Sequence, residues 1–389
     1  MTKTSPGKPA HWLGVLKEVV KEFPVVVAIT VATAIAAHAG WFDTFETAWL
    51  DAFRELLPGR AAEDVFVVEV TDDDYEHFFH STSPLQLPAL RAALAAIARG
   101  RPQLVVVDLE TAPDEIVKLP PEPGDPASWP PTVWAEVDAN PSGQLPGAAH
   151  AAGVSTGVAR FVADRDGIIR RHRRQFEPAD GGTVPSDSLP WKTVRIHCAL
   201  GGTQSVCGHI QHAADEEEDL LLNFAGDRFD YQRSDLASVL RASTGQAWGT
   251  DHGPLFGKIV LVGATFRAAR DLHATPLGLT HGVYIMAQAI ESELQGRGIR
   301  PFNEWTMIGM DLLAGLIIVL LHRIFVLPVA FRLSLLGLPV LVLVSSFVAF
   351  YSFSRWASFV PVCVGVMLHE LYIAAESNRH GASVEGAME

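Results

Sequence analysis

Motifs of catalysis are missing from this chain. It has no nucleophile elbow, no zinc-protease histidine pair and no kinase signature. "GPLFGKIV" (253–260) looks like a phosphate loop but is too short, lacks Ser or Thr after Lys258, and precedes its strand. The chain is therefore expected to be no enzyme, with no cofactor and no metal. Basic charge is also scarce: the net charge is −14, which excludes nucleic acid as a general partner. Only 19% of the 389 residues are charged, while 48% are hydrophobic. There are three cysteines: Cys198 and Cys207 stand close together, and Cys363 lies in an apolar run.

The hydrophobic residues gather at the two ends of the chain. "FPVVVAITVATAIAAHAGWF" (23–42) contains no Asp, Glu, Lys or Arg and is long enough for a membrane span. Lys3, Lys8, Lys17 and Lys21 before it place segment 1–22 in the cytoplasm. Ala37-His38-Ala39 also resembles a signal-peptidase site, the alternative reading. Three more runs follow at 305–322, 333–353 and 356–375, and His322, Arg323 and Arg332 put the first intervening loop inside. A short cytoplasmic tail, 376–389, is expected to end the chain. The sum is four spans, both termini inside, and one exported domain from 43 to 303. Asp311, His369 and Glu370 fall within spans; an ion or proton pathway is the functional reading, and proximity to the helix ends the simpler one.

The exported region alternates strand and helix patterns. "DVFVVEVT" (64–71), "PQLVVVDLE" (102–110) and "GKIVLVGAT" (257–265) read as buried strands. "LPALRAALAAIARG" (87–100) and "HGVYIMAQAIESELQGRG" (281–298) read as helices ending in Gly. This order predicts an α/β domain with a mixed or mostly parallel sheet flanked by helices, beside an all-α membrane region. The Pro-rich stretch 119–134 reads as loop. Asp108 ends a valine strand, where open α/β sheets bind ligands and where caps also occur.

In "TDDDYEHFFH" (71–80) two readings compete. Carboxylates with His77 and His80 fit a metal site, whereas Thr71 or Asp72 fits a helix cap. In "FVADRDGIIRRHRRQF" (161–176), Asp164, Asp166 and Gly167 form a hairpin turn signal. Arg170, Arg171, Arg173 and Arg174 crowd behind it and call for anions. The acidic run 215–219, lipid headgroups or an anionic ligand would serve, as would pairing within the molecule. Cys198 and Cys207 bracket "ALGGTQSV" and form a disulfide in an oxidising compartment, or else remain two buried thiols.

These pieces, in order, resemble the second type of CHASE sensory domain, the extracellular sensing domains associated with cyclases and histidine kinases. "FVVEVTDDDY", "LVVVDLE", the segment "LPGAAHAAGVSTGVARFVADRDGIIRR", "GKIVLVGATFRAARDLHATPLG" and "HGVYIMAQAIESELQGRGIR" carry the resemblance, over roughly 60–303. One span before the domain and a cluster after it also resemble the family. "HSTSPLQLPAL" stands where the family often has Trp-Pro-Trp-Pro-Arg, and 110–145 is shortened. The resemblance implies a receptor for an extracytoplasmic signal. It marks Asp108, Asp164, Asp166, Gly167, Arg170, Arg171, Asp271 and Thr275 as ligand or signal-sensing candidates. Family members usually carry a cytoplasmic kinase or cyclase; here the output protein is expected in trans. The expectation is a multi-pass sensor of a bacterial inner membrane, homo-oligomeric, with its large domain in the periplasm and the lipid bilayer and an output protein as partners. The alternatives are a scaffold of an envelope or defence complex, or a pore-type effector.

Overall fold

The computed structural model describes residues 10–56, 62–109, 111, 129–136, 155–177, 185–201, 207, 210, 219–222, 224, 231–245, 248, 253–296 and 298–385. Most of segment "LPGAAHAAGVST", the run 215–218 and most of the Pro-rich stretch lie outside them. The chain divides into two compact units, one of 1–53 with 299–389 and one of 54–298.

In the first unit the chain starts with α1 (Ala10–His38) and α2 (Asp43–Glu55). In the second unit, β1 (Ala62–Val70), α3 (Asp72–His77), α4 (Leu87–Arg99), β2 (Leu104–Asp108), β3 (Thr132–Glu136) and β4 (Ser155–Val158) come next. The short strands β5 (Val162–Ala163), β6 (Ile169–His172), β7 (Gln175–Phe176) and β8 (Ser186–Asp187) lead to α5 (Leu189–Ala199). After β9 (Leu220–Leu221) come β10 (Tyr231–Asp235), α6 (Leu236–Ala242) and β11 (Ile259–Ala264). The hairpin β12 (Leu272–Thr275) and β13 (Gly278–His281) feeds α7 (Gly282–Leu294).

The main sheet has six strands in the order β10-β1-β11-β2-β3-β4, and every pairing is parallel. The expected βαβ unit is present as β1-α4-β2, but β11 lies between its two strands. Successive side chains of a strand face opposite ways, so the valine runs bury two faces at once. Phe66, Val68, Val105, Val260 and Val262 meet Leu90, Leu94 and Ile97 of α4 and Leu236 and Val239 of α6. Val65, Val67, Val106, Ile259 and Leu261 meet Trp191 and Val194 of α5 and Met286, Ala287 and Ile290 of α7. The helices cover both faces and leave the strand ends as the accessible part of the sheet.

The hairpin turn expected at Asp164–Gly167 forms, between strands shorter than the sequence suggests. β4 joins the main sheet, and only β5 and β6 pair antiparallel around the turn, with Val162 opposite Arg171. Thr71 caps α3 and Asp74 completes a capping box. The helix ends at His77, and His80 takes φ 53°, so the two histidines share no helical face. Among the described residues no group of three metal-ligating side chains exists. Cys198 and Cys207 are joined as a disulfide.

The first unit continues after the domain with the strand β14 (Arg300–Pro301), α8 (Glu304–Ile324) and α9 (Leu327–Arg332). A π-helical turn, Leu333–Gly337, leads into α10 (Leu338–Phe353), then β15 (Arg355–Trp356), which pairs with β14, and α11 (Val360–Glu385). α2 packs here through its aromatic residues: the Phe53 ring lies 5.1 Å from Phe347, 5.6 Å from Trp356 and 6.3 Å from Phe359. Among the described residues, three helices are long and apolar enough to cross a membrane: Val19–His38, Glu304–Ile324 and Leu327–Phe353. The sequence predicts four. The fourth corresponds to α11, which starts only at Val360 and interrupts its apolar run with His369, Glu370 and Glu376.

Candidate functional site

The carboxyl ends of the parallel strands bring three polar side chains into one electrostatic group. Asp108 terminates β2 beside Gly263 of β11. Asp271 and His273 belong to the hairpin that follows β11, and Asp271 Oδ1 lies 2.8 Å from His273 Nε2. Residues two apart on an extended chain share a face, which makes this pairing possible. Phe161 sets its ring edge-on to His273, with centroids 4.8 Å apart.

Asp108 is the perturbed member. Burial, reinforced by the Asp271 charge and opposed by His273, raises its pKa from 3.8 to about 7. Among the described residues no hydrogen bond reaches its carboxylate. It remains partly exposed. The group is thus a carboxyl that exchanges its proton near neutrality, beside an acid already engaged by an imidazole.

Asp271 also touches the next helix. A Cβ at Gly282, the first residue of α7, would stand 2.4 Å from Asp271 Oδ2, so only glycine admits the carboxylate there. The Gly282 amide donates to the Asp271 carbonyl at 3.1 Å. A carboxylate at the positive end of a helix is favourably placed. Thr275 holds the hairpin together. Its buried hydroxyl donates to the Gly278 carbonyl at 2.8 Å and accepts from the Leu277 amide at 3.2 Å, closing the β12–β13 turn.

The other sequence candidates form a separate cluster that satisfies itself. Gly167 takes φ +81°, and the Ile168 amide donates to Asp166 at 3.1 Å. Arg170 Nη1 reaches Asp166 at 2.9 Å and Asp164 at 3.2 Å, and Arg171 Nε reaches Asp164 at 2.8 Å. Arg173 forks onto Asp219, the last member of the acidic run, at 2.8 and 2.9 Å. Arg174 forks onto Glu293 of α7 at 2.9 Å twice and lies over Trp191, 4.3 Å from its ring. His172 Nε2 stands 3.5 Å from the same glutamate. Burial raises the Glu293 pKa, but His172 and Arg174 outweigh it and bring it down to about 2. All four arginines thus have carboxylate partners in the domain itself.

His273, Phe161 and Glu293 escaped the sequence reading. The i, i+2 relation of Asp271 and His273 was a usable signal. Glu293 gave none, because its partner lies far along the chain.

A two-sided parallel α/β domain, with a titratable cluster at its strand ends, is set in the sequence between helices long and apolar enough to cross a membrane. The family follows: a model described as CHASE2 domain matches residues 26–322, and the chain belongs to that family. The match extends beyond 60–303 to take in part of the first apolar helix and most of α8. No curated protein and no solved structure matches the chain.

Proposed function

We propose that this chain is a transmembrane sensor and regulatory subunit of a bacterial inner membrane. In this reading both termini are cytoplasmic, α11 is a fourth span, and the second unit lies in the periplasm. The domain takes its signal at Asp108, Asp271 and His273, and the output is delivered by a cytoplasmic protein in trans, with the sensor self-associating. The reading assigns no catalysis to this chain.

One observation carries it. Asp108 stands at the carboxyl edge of the sheet, where α/β folds receive ligands, and no protein donor occupies its carboxylate among the described residues. Asp271, the neighbour that acts on it, packs against the first residue of α7. α7 is the last helix of the domain before the chain re-enters the membrane unit. A change in charge at Asp108 is felt by Asp271, whose carboxylate packs at the start of α7.

The test is affinity purification of the full-length protein from its own membranes with mass spectrometry. A cytoplasmic enzyme recovered in near-equal amount, and lost or altered in activity with Asp108→Asn, fits the sensor. Recovery of only further copies of the chain or envelope proteins would refute it and favour a scaffold.

A further inference from the structure

The helix that follows the first apolar run, α2, carries an aromatic edge that the sensor reading does not use. Residues four apart share a side of a helix, so its side chains fall into stripes. Asp43, Thr47 and Asp51 form a polar stripe. Glu46 and Leu50 form a second, which meets protein. Glu46 accepts from the Ser358 hydroxyl at 2.7 Å and from the amide of Val360, the first residue of α11, at 2.9 Å, and Leu50 is buried. Phe45, Trp49 and Phe53 form the third. Phe53 is buried against Phe347 and Phe350 of α10. Trp49 sets its ring 5.6 Å from that of Phe359 yet stays 41% exposed, and Phe45 is 64% exposed. The aromatic stripe thus begins inside the protein and runs out of it uncovered.

The level of α2 in the first unit is fixed by its neighbours. His38 Nδ1, at the end of α1, lies 3.8 Å from Glu304 Oε1, at the start of α8. The Arg300 and Phe302 amides donate to the Ser354 and Trp356 carbonyls at 3.0 and 2.9 Å, just past the end of α10. All of these helices therefore begin or end at one level, and Glu46 and Phe53 bind α2 there. More rings stand exposed at this level: Trp41 at 76%, Trp305 at 81% and Phe353 at 72%. From it, the flanks of three helices of membrane length run on with exposed aliphatic side chains: Val31 and Ile35 on α1, Leu313 on α8, Val344 and Val348 on α10. A protein partner would have to take in rings from four separate stretches of chain together with these flanks. A bilayer meets all of them at once. Aromatic rings gather where hydrocarbon gives way to headgroups, and a helix with a polar stripe opposite its apolar one lies in that plane.

We infer that α2 is an interfacial helix whose Phe45–Trp49 edge lies in the headgroup–acyl boundary of a phospholipid bilayer, at the level marked by Trp41, Trp305 and Phe353. The stripe of Asp43, Thr47 and Asp51 then faces water. α2 is held on one side by α10 and α11 and on the other by lipid. The inference goes beyond the proposed function but rests on its assignment of α1, α8 and α10 to membrane spans.

The experiment is transfer of proton magnetisation, from lipid and from water, to the indole N–H signals of the full-length protein. The protein is isotope-labelled at its tryptophan nitrogens and held in nanodiscs of phosphatidylcholine and phosphatidylglycerol. Trp41→Phe, Trp49→Phe and Trp305→Phe assign the signals by their loss, and Phe45→Trp introduces an indole at the more exposed position of the stripe. The signals of Trp41, Trp49 and Trp305 and that of the introduced indole are expected to build up from acyl-chain protons. The signal of Trp191, buried in the α/β unit, should receive neither source directly. Lipid transfer to Trp41 and Trp305, with none to Trp49 or to the introduced indole, overturns the inference and leaves the spans standing. Transfer from water would then put the edge of α2 in solvent, and transfer from neither would put a second copy over it. No lipid transfer to any of the four overturns the spans together with the inference. Should Trp49→Phe fail to fold, Phe45→Trp decides by itself.

Discussion

Replacing Asp108 with asparagine should stabilise the α/β domain, and by an amount that depends on pH. The substitution keeps the shape of the side chain and removes its charge. In the folded protein Asp108 titrates at about 7, against 3.8 as the ordinary value. Ionising it therefore costs folding free energy. Below about pH 4 the carboxyl is protonated in both states and the cost vanishes. It grows as pH rises through the interval and is complete above pH 7. At 1.36 kcal/mol per pH unit the full cost is about 4 kcal/mol. Hydrogen exchange of the amides of β2 and β11, compared between variant and wild type at the same pH, measures it in the full-length protein. Near pH 4 the two proteins should match; near pH 8 the variant should exchange more slowly, with an opening free energy about 4 kcal/mol higher. A variant that is less stable at pH 8, or whose advantage is the same at both ends of the range, would refute the electrostatic account of Asp108.

The Arg174–Glu293 pair gives the opposite pH trend. Glu293→Gln should cost about 3–5 kcal/mol near neutrality in denaturant unfolding, because it strands a buried guanidinium. The wild-type contribution is present above the ordinary value of 4.5 and is lost as pH falls towards about 2. Gly282→Ala forces a Cβ against the Asp271 carboxylate and should break its bond to His273, seen as a changed ring-nitrogen shift of His273. Replacing Cys198 and Cys207 together with serine should lower stability by about 2–3 kcal/mol through loop-closure entropy, read from the same unfolding curves.

What could be read from the sequence was what neighbouring residues decide. The valine strands, α4, the cap at Thr71 and the turn at Gly167 rest on local spacing and backbone preference. The placement of β11 between β1 and β2 does not, since all three strands are equally apolar and any order buries them. The meeting of Asp108 with Asp271 follows from that order and was hidden for the same reason. The arginine run showed a need for anions, and Asp164 and Asp166 were near enough in sequence to be candidates. Glu293 was not, because the pair joins a strand to a helix across the domain. In the first unit, hydrophobicity gave three of the four expected spans but not the use of their polar residues: Asp311 is tied by Thr33 at 2.6 Å, a contact between α1 and α8 that no local pattern reveals.

The central position of β11 has a consequence for biogenesis. The strand that fills the middle of the sheet is among the last parts of the domain to be synthesised. Until it arrives, β1 and β2 have no common neighbour, and each presents an unpaired apolar edge. The first half of the domain cannot close ahead of the second, so folding is delayed until almost all of the domain has been made. A chain arrested before Ile259 should therefore be a substrate for chaperones and proteases rather than a partly finished domain.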